Sequence, residues 1–472
     1  MSLRHHRLEL VALAVLVAAA LTGAATAATG ATERVSLATG GGQANAGSGV
    51  ASWRPAISAD GNLVAFDSTA TNLVPGATSR QDDVYLRSRS GAAIELVSAT
   101  STGSEPNGPS SQPDLSGDGR YVAFHTAATN LVPGGIAAGV VVLDRVTHTV
   151  TAVSMAGKKG ADGQDPSISD DGRYVAFEST SADLASGASG AKSGTSTSGV
   201  AVAGTIASFI YVRDLVKQKT ILVSVDSSGK AAGPSFDPAI SADGRYVAFD
   251  SRAPLVADDT NAAPDVYVYD LQTGSMVRVS VDSGGGQGRG NYFAPSISSD
   301  GRYVAFDAAT PLSAADTNGE QDVYVHDMLT GQTTRVSVDS AGNQADGHSD
   351  LFSLGAVQDA GPESAGPQIS GDGRYVAFES AAANLVAGDT NTCTFGDAGF
   401  PGAGQCPDVF VHDLETGATT RVSVDSNGGQ ADGPSGDPAI DADGSAVAFL
   451  SAAINLVAGD TDNAQDVFVH TP

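Results

Sequence analysis

The chain is poor in the residues on which redox chemistry, nucleophilic catalysis and polyanion binding usually rest. Only Cys393 and Cys406 supply thiols in 472 residues, and their spacing is not the Cys-x-x-Cys of a redox centre. No Gly-x-Ser-x-Gly elbow marks a hydrolase nucleophile, and no Walker-type glycine loop marks a phosphate cradle. Positive charge is scarce as well, with 25 Lys and Arg against 53 Asp and Glu and a formal net charge of -28. Such a field repels phosphate backbones and anionic headgroups, so nucleic acid is not an expected partner. An acidic surface also serves plain solubility.

Long apolar runs are missing beyond the start of the chain. Arg4 and Arg7 precede an apolar stretch from Leu10 to Leu21 and the small residues Ala25-Thr26-Ala27, the pattern of an export leader cleaved after residue 27. The stretch is shorter than the ~20 residues of a transmembrane span. The mature chain, 28–472, is therefore expected outside the cytoplasm, secreted or in the periplasm or cell envelope, as a monomer without membrane insertion. In that compartment Cys393 and Cys406 are expected to form a disulfide, worth roughly 3 kcal/mol for a loop of about this size.

What the chain has in abundance is repetition. Asp300-Gly301-Arg302-Tyr303-Val304-Ala305-Phe306 recurs, intact or lightly altered, from Asp60, Asp118, Asp171, Asp243, Asp372 and Asp443. A proline opens each of the seven units, at Pro55, Pro113, Pro166, Pro238, Pro295, Pro367 and Pro438. Within a unit, four short runs of Val, Ile, Tyr and Phe lie between Gly, Asp, Asn and Ser, which is strand patterning. Asp-Gly and Thr-Gly pairs join the first to the second run and the third to the fourth, as hairpin turns do. Both faces of Tyr-Val-Ala-Phe are apolar, so units stacked around an axis bury what a lone sheet would expose.

The last unit stops after its third strand, and the start of the mature chain supplies the fourth. Glu33-Arg34-Val35-Ser36-Leu37 matches Thr420-Arg421-Val422-Ser423-Val424. The expected fold is all-β, a seven-bladed β-propeller in one domain closed by residues 33–37. A six-bladed ring with one stray unit and an open solenoid are the alternatives.

These units resemble the WD40-like propeller repeats of the TolB type, often called PD40 repeats, over nearly all of residues 33–472. The resemblance implies a propeller with a role in protein interaction outside the cytoplasm. No counterpart of the additional N-terminal domain of TolB is expected in this chain.

Antiparallel meanders place the tight turns on one end of the ring and the longer connections on the other. Three insertions, at 184–208, 348–366 and 390–407, fall on the second end, which makes it the expected binding face for a protein or glycan. Gly- and Ser-rich length that is merely tolerated is the competing reading. The same loops carry Asp259-x-Asn261-x-x-x-Asp265, Asp316-x-Asn318-x-x-x-Asp322 and Asp460-x-Asp462-x-x-x-Asp466. Oxygen ligands so spaced are candidates for calcium, and loop capping is the competing role. His326, His412 and His470 share one position on separate blades and are expected to pack rather than bind metal. The repeated Ser58, Ser116, Ser169, Ser241, Ser298 and Ser370, with Asp441 in the seventh unit, are expected to bond their Asp-Gly turns. The function that follows is non-enzymatic binding or scaffolding. The alternatives are a lyase or hydrolase using carboxylates at the channel mouth, and a structural envelope protein.

Overall fold

In a computed structural model, residues 30–472 are described apart from 49–53, 92, 133–134, 136–137, 158, 182–183, 186–207, 350–365, 396–401 and 462–463. The expected export leader lies outside the described residues, as does most of the insertions at 184–208 and 348–366. Among the described residues there is no helix, and none long and apolar enough to cross a membrane. Seven four-stranded antiparallel sheets follow one another along the chain, each a meander. Blade four shows the plan: Ser235–Ile240, Tyr246–Ser251, Asp265–Asp270 and Met276–Arg278.

The seventh blade is built from both ends of the chain. Ala31–Arg34 pairs antiparallel with Asp466–Thr471, with Arg34 opposite Phe468. The closing strand lies two residues earlier than the expected 33–37, and Val35 extends it by one amide bond to the Val467 carbonyl, 2.8 Å. Its ladder partner starts at Asp466, which sets the register.

Alternation along the second strand explains why both of its faces are apolar. In blade four, Val247 and Phe249 pack with Ala176, Ile210 and Val212 of blade three. Ala248 points the other way, into the cluster holding Val304 and Phe306 of blade five. Seven such cores alternate with seven blades around the ring. Burying both faces of every blade is what makes a closed ring more stable than isolated sheets.

The heptapeptide is the latch between blades. A Cβ on Gly244 would stand 2.2 Å from Cδ2 of Tyr174 in the preceding blade, and one on Gly301 would meet Tyr246 at the same distance. Both glycines also have positive φ, 69° and 73°, so the turn and the close approach each require glycine. The arginine that follows stacks on its own tyrosine, as Arg245 does over Tyr246 at 4.6 Å. It also forks onto the aspartate ending the third strand, Arg245 Nη2 to Asp270 Oδ2, 2.8 Å.

Two junctions lack the tyrosine, and the following blade compensates. Blades three to six carry Leu215, Leu271, Met328 and Leu414 in the clusters that hold Tyr121, Tyr174, Tyr246 and Tyr303. Where the preceding blade has Leu63 or Ala446 instead, the residue at that position is arginine. Arg145 donates to the Gly119 carbonyl and pairs with Glu95. Arg89 donates to the Gly61 carbonyl and to Thr471 Oγ1, and pairs with Glu33, so it ties both ends of the chain to blade one.

Candidate functional site

First strands line the central channel. Its walls carry one apolar girdle, Ile57, Leu115, Ile168, Ile240, Ile297, Ile369 and Ile440, with one residue from every blade. The cavity measures about 180 Å³, below the roughly 300–1,000 Å³ of small-molecule pockets. At the turn end the rim is stitched by amide bonds between blades, among them Ala59 to Gly117, Ser299 to Gly371 and Ala442 to Ala59. That end is scaffold.

The repeated serines belong to it. Ser58, Ser116, Ser169, Ser241, Ser298 and Ser370 donate to the aspartate two residues on, at 2.6 to 2.9 Å. In blade seven the roles reverse, with Ser445 donating to Asp441 at 2.8 Å. No ring of hydroxyls faces the channel from these positions. The histidines are packed too: His326, His412 and His470 each share a hydrogen bond with a threonine, Thr333, Thr419 and Thr32. Burial lowers all three pKa values, that of His470 to about 4.

The carboxylates considered for calcium already face a cation of the chain itself. Arg335 Nη1 lies 3.3 Å from Asp316 and from Asp322. Arg34 Nη1 lies 3.1 Å from Asp460 and from Asp466, and Arg278 Nη1 lies 3.7 Å from Asp259. Remaining lone pairs are filled locally. Asn261 Nδ2 donates to Asp265, Asn318 Nδ2 to Asp322, and Tyr324 to Asp316. Blade six repeats the motif, with Arg421 between Asp389 and Asp408. Burial still outweighs these partners and raises Asp265, Asp322 and Asp408 to about 6. Among the described residues no group of three or more His, Cys, Asp or Glu is disposed to hold a metal; Asp462 lies outside them.

At the loop end of the channel the structure assembles carboxyls that the sequence reading did not single out. In five of the seven blades the proline that opens the unit stands inside the first strand, whereas Pro55 and Pro367 precede the strands Ala56–Ile57 and Gln368–Ile369. In five blades the residue ahead has positive φ: Gln112, Asp165, Asp237, Ala294 and Asp437, at 47° to 57°. This kink breaks the ladder register between Phe236 and Ala239 and turns the residue ahead of the proline toward its neighbours. The acids closing the second strands, Asp67, Glu178, Asp250, Asp307 and Glu379, are buried beside them.

Electrostatics there are dominated by burial. It raises Asp67 to about 8, with Asp82 adding repulsion, and Asp437 to about 7 against the attraction of Arg54. Asp250 rises to about 7, while burial pushes Asp237 and Glu178 well above the ordinary range, with repulsion from Asp250 and Asp165 added at Asp237 and from Asp165 and Asp250 at Glu178. Ser208 donates to Glu178 at 2.6 Å and Gln164 at 3.2 Å, and Gln112 donates to Asp165. The available signal was the acid recurring after Tyr-Val-Ala-Phe. An acid ending a buried strand needs a partner or a proton.

On the same end, blade six carries an additional hairpin between its second and third strands, Thr392–Phe395 paired with Gly402–Gln405. Cys393 and Cys406 are joined across it by a disulfide.

No protein-family model and no curated protein matches the chain. Solved structures do. TolB from Acinetobacter baumannii is 15% identical, with 76% of this chain and 63% of that one covered and a TM-score of 0.39. The chain thus spans less than two thirds of that TolB. An oligogalacturonate lyase from Vibrio parahaemolyticus is 11% identical with 89% of each chain covered and a TM-score of 0.49. The β-propeller domain of the Trilobed protease from Pyrococcus furiosus is 11% identical, with 88% and 93% covered and a TM-score of 0.48. Similarity at this level carries no functional information.

Proposed function

We propose that this is a non-enzymatic propeller, exported by its leader, that binds a protein or glycan through the loop end of the ring. The observation that carries the reading is the asymmetry of the two ends. Among the described residues one end is sealed by turns, amide bonds and arginine latches, and the other bears the disulfide-tied hairpin. Binding groups placed on loops of a rigid scaffold are a common arrangement. A channel of this small volume leaves surface recognition as the available mode.

Binding to glycan and peptide arrays tests this with two variants. In one, residues 392–405 are replaced by a short Gly-Ser turn; in the other, Val216→Ser and Leu329→Ser alter the turn end. Retention by the second and loss by the first is expected. No retained ligand of either class, or loss only in the second, would overturn the reading.

One observation favours an enzyme instead: Asp237, Glu178 and Asp250 hold raised pKa values at the channel mouth, as general acids do. Glu178 and Asp250 are nearly inaccessible to solvent, at 5% and 0% exposure, and the Oδ2 atom of Asp237 is buried, so a substrate cannot touch Glu178 or Asp250 in this conformation. Turnover of a polysaccharide that Asp237→Asn abolishes would move the assignment to that reading.

A further inference from the structure

The raised carboxyls of blades three and four form a chain across the seam between them. Asp165 and Glu178 belong to blade three, and Asp237 and Asp250 to blade four. Asp250 is fully buried, and no donor meets either of its oxygens at ordinary hydrogen-bond geometry. What faces it is the carboxyl of Asp237, a residue of intermediate exposure whose Oδ2 is nevertheless buried and also lacks a donor. Two acceptors in contact, with the facing oxygens sealed from water, repel unless a proton lies between them.

We propose that Asp237 and Asp250 share one resident proton, and that its release loosens the seam between blades three and four at the loop end. With the proton in place, one carboxyl donates O–H to the other and the pair carries a single negative charge. Release breaks that O–H bond, passes the proton to water and leaves two facing carboxylates.

The surroundings oppose the second charge. Glu178 and Asp165 act on Asp237 from blade three, and Glu178 is itself repelled by Asp162 in the preceding loop. Besides the bond with Asp237 itself, Arg252, the Ala294 amide of blade five and the Asp250 amide favour an ionised Asp250. Arg252 also stands over the Phe236 ring at 5.5 Å. Arg252 thus acts on Asp250, while Asp162, Asp165, Glu178 and Asp237 crowd the same seam. Water or a cation must enter, or the strands must part, once the proton has gone.

Infrared spectroscopy of the full chain with ¹³C-labelled aspartate carboxyls, compared between wild type and Asp237→Asn, reads the shared proton free of Glu178 and apart from Asp67 and Asp437, which add to the same band. A band of protonated aspartate is expected at pH 6 and lost by pH 9. Hydrogen exchange, corrected for the intrinsic effect of pH, should show protection of Gln164–Ile168 and Ser235–Ile240 falling up to about tenfold per pH unit between 5.5 and 7. Protection of Val447–Ser451 should stay level.

Asp237→Asn supplies an amide donor in place of the proton, so both the band and the slope should shrink. Asp250→Asn is the mirror variant should the first fail to fold. Absence of the band from the wild type at pH 6, or its persistence unchanged in both variants, would overturn the proposal.

Discussion

Arg34, on the strand that closes the ring, places its Nη1 3.1 Å from Asp460 and 3.1 Å from Asp466 of the last blade. All three side chains are nearly inaccessible, at 6% for the arginine and 2% for each aspartate. The contact joins residues more than 400 positions apart and couples closure of the propeller to the compensation of two buried charges. Arg278, Arg335 and Arg421 hold the same place in blades four, five and six.

Removing that cation strands two buried carboxylates. Arg34→Met is expected to destabilise the protein by about 3–5 kcal/mol, the usual cost of breaking a buried pair from one side. Equilibrium unfolding in urea measures it. Arg120→Met removes a guanidinium whose side chain is 39% exposed, and a much smaller loss is expected there, because solvent screens an exposed pair.

The same geometry bears on calcium. Wild-type melting temperature should be equal in millimolar calcium and in chelator, because the loop carboxylates already face arginine. Arg335→Gln frees Asp316 and Asp322, and its melting temperature should then rise with calcium. A wild-type protein that melts lower in chelator would show that calcium binds the native chain.

Glycine at the latch is required for two separable reasons. Gly229 has φ of 78° and open space around it, whereas Gly244 has φ of 69° and Tyr174 against it. Gly229→Ala should cost about 1 kcal/mol from backbone strain alone. Gly244→Ala should cost a further 1–3 kcal/mol or so for displacing the tyrosine. Equal losses in thermal unfolding would mean the ring does not depend on that contact.

Stability should fall as the solution is made alkaline. Asp67, Asp250 and Asp437 have folded pKa values of about 8, 7 and 7 against 3.8 as the ordinary value. The folded state therefore binds more protons than the unfolded one, and stability declines as pH rises toward those values. Below about 6.5 the buried histidines, whose folded pKa values are lowered, act in the opposite direction. Between pH 6.5 and 8 the carboxyls act alone, and a loss on the order of 1–3 kcal/mol is expected by chemical denaturation. A second decline should appear under strong acid, below 3.8, where Asp270, held at about 2 chiefly by Arg245, becomes protonated.

Most of the architecture was legible because a propeller repeats its reasons. Asp-Gly needs a positive φ, Tyr-Val-Ala-Phe needs two apolar neighbours, and a missing last strand matched by a spare first one needs closure. The packing of His326, His412 and His470 and the bonding of the serines to their turns followed from position within the unit. Pairing of Arg34 with Asp460, or of Arg335 with Asp316, did not. The loop aspartates and the fourth-strand arginine are distant in sequence, and a spacing rule reads only one of them. The acids at the channel mouth were missed because each looks like the polar end of a strand until adjacent blades bring them together.

By itself, the sequence determined the number of blades, the order of their strands and the end of the ring that carries the long loops, since these depend on local turns and alternation. Tertiary structure alone decided which charges meet. A carboxyl's partner, and so whether it holds an arginine, a serine or a proton, depends on the neighbouring blade and on the water that burial removes.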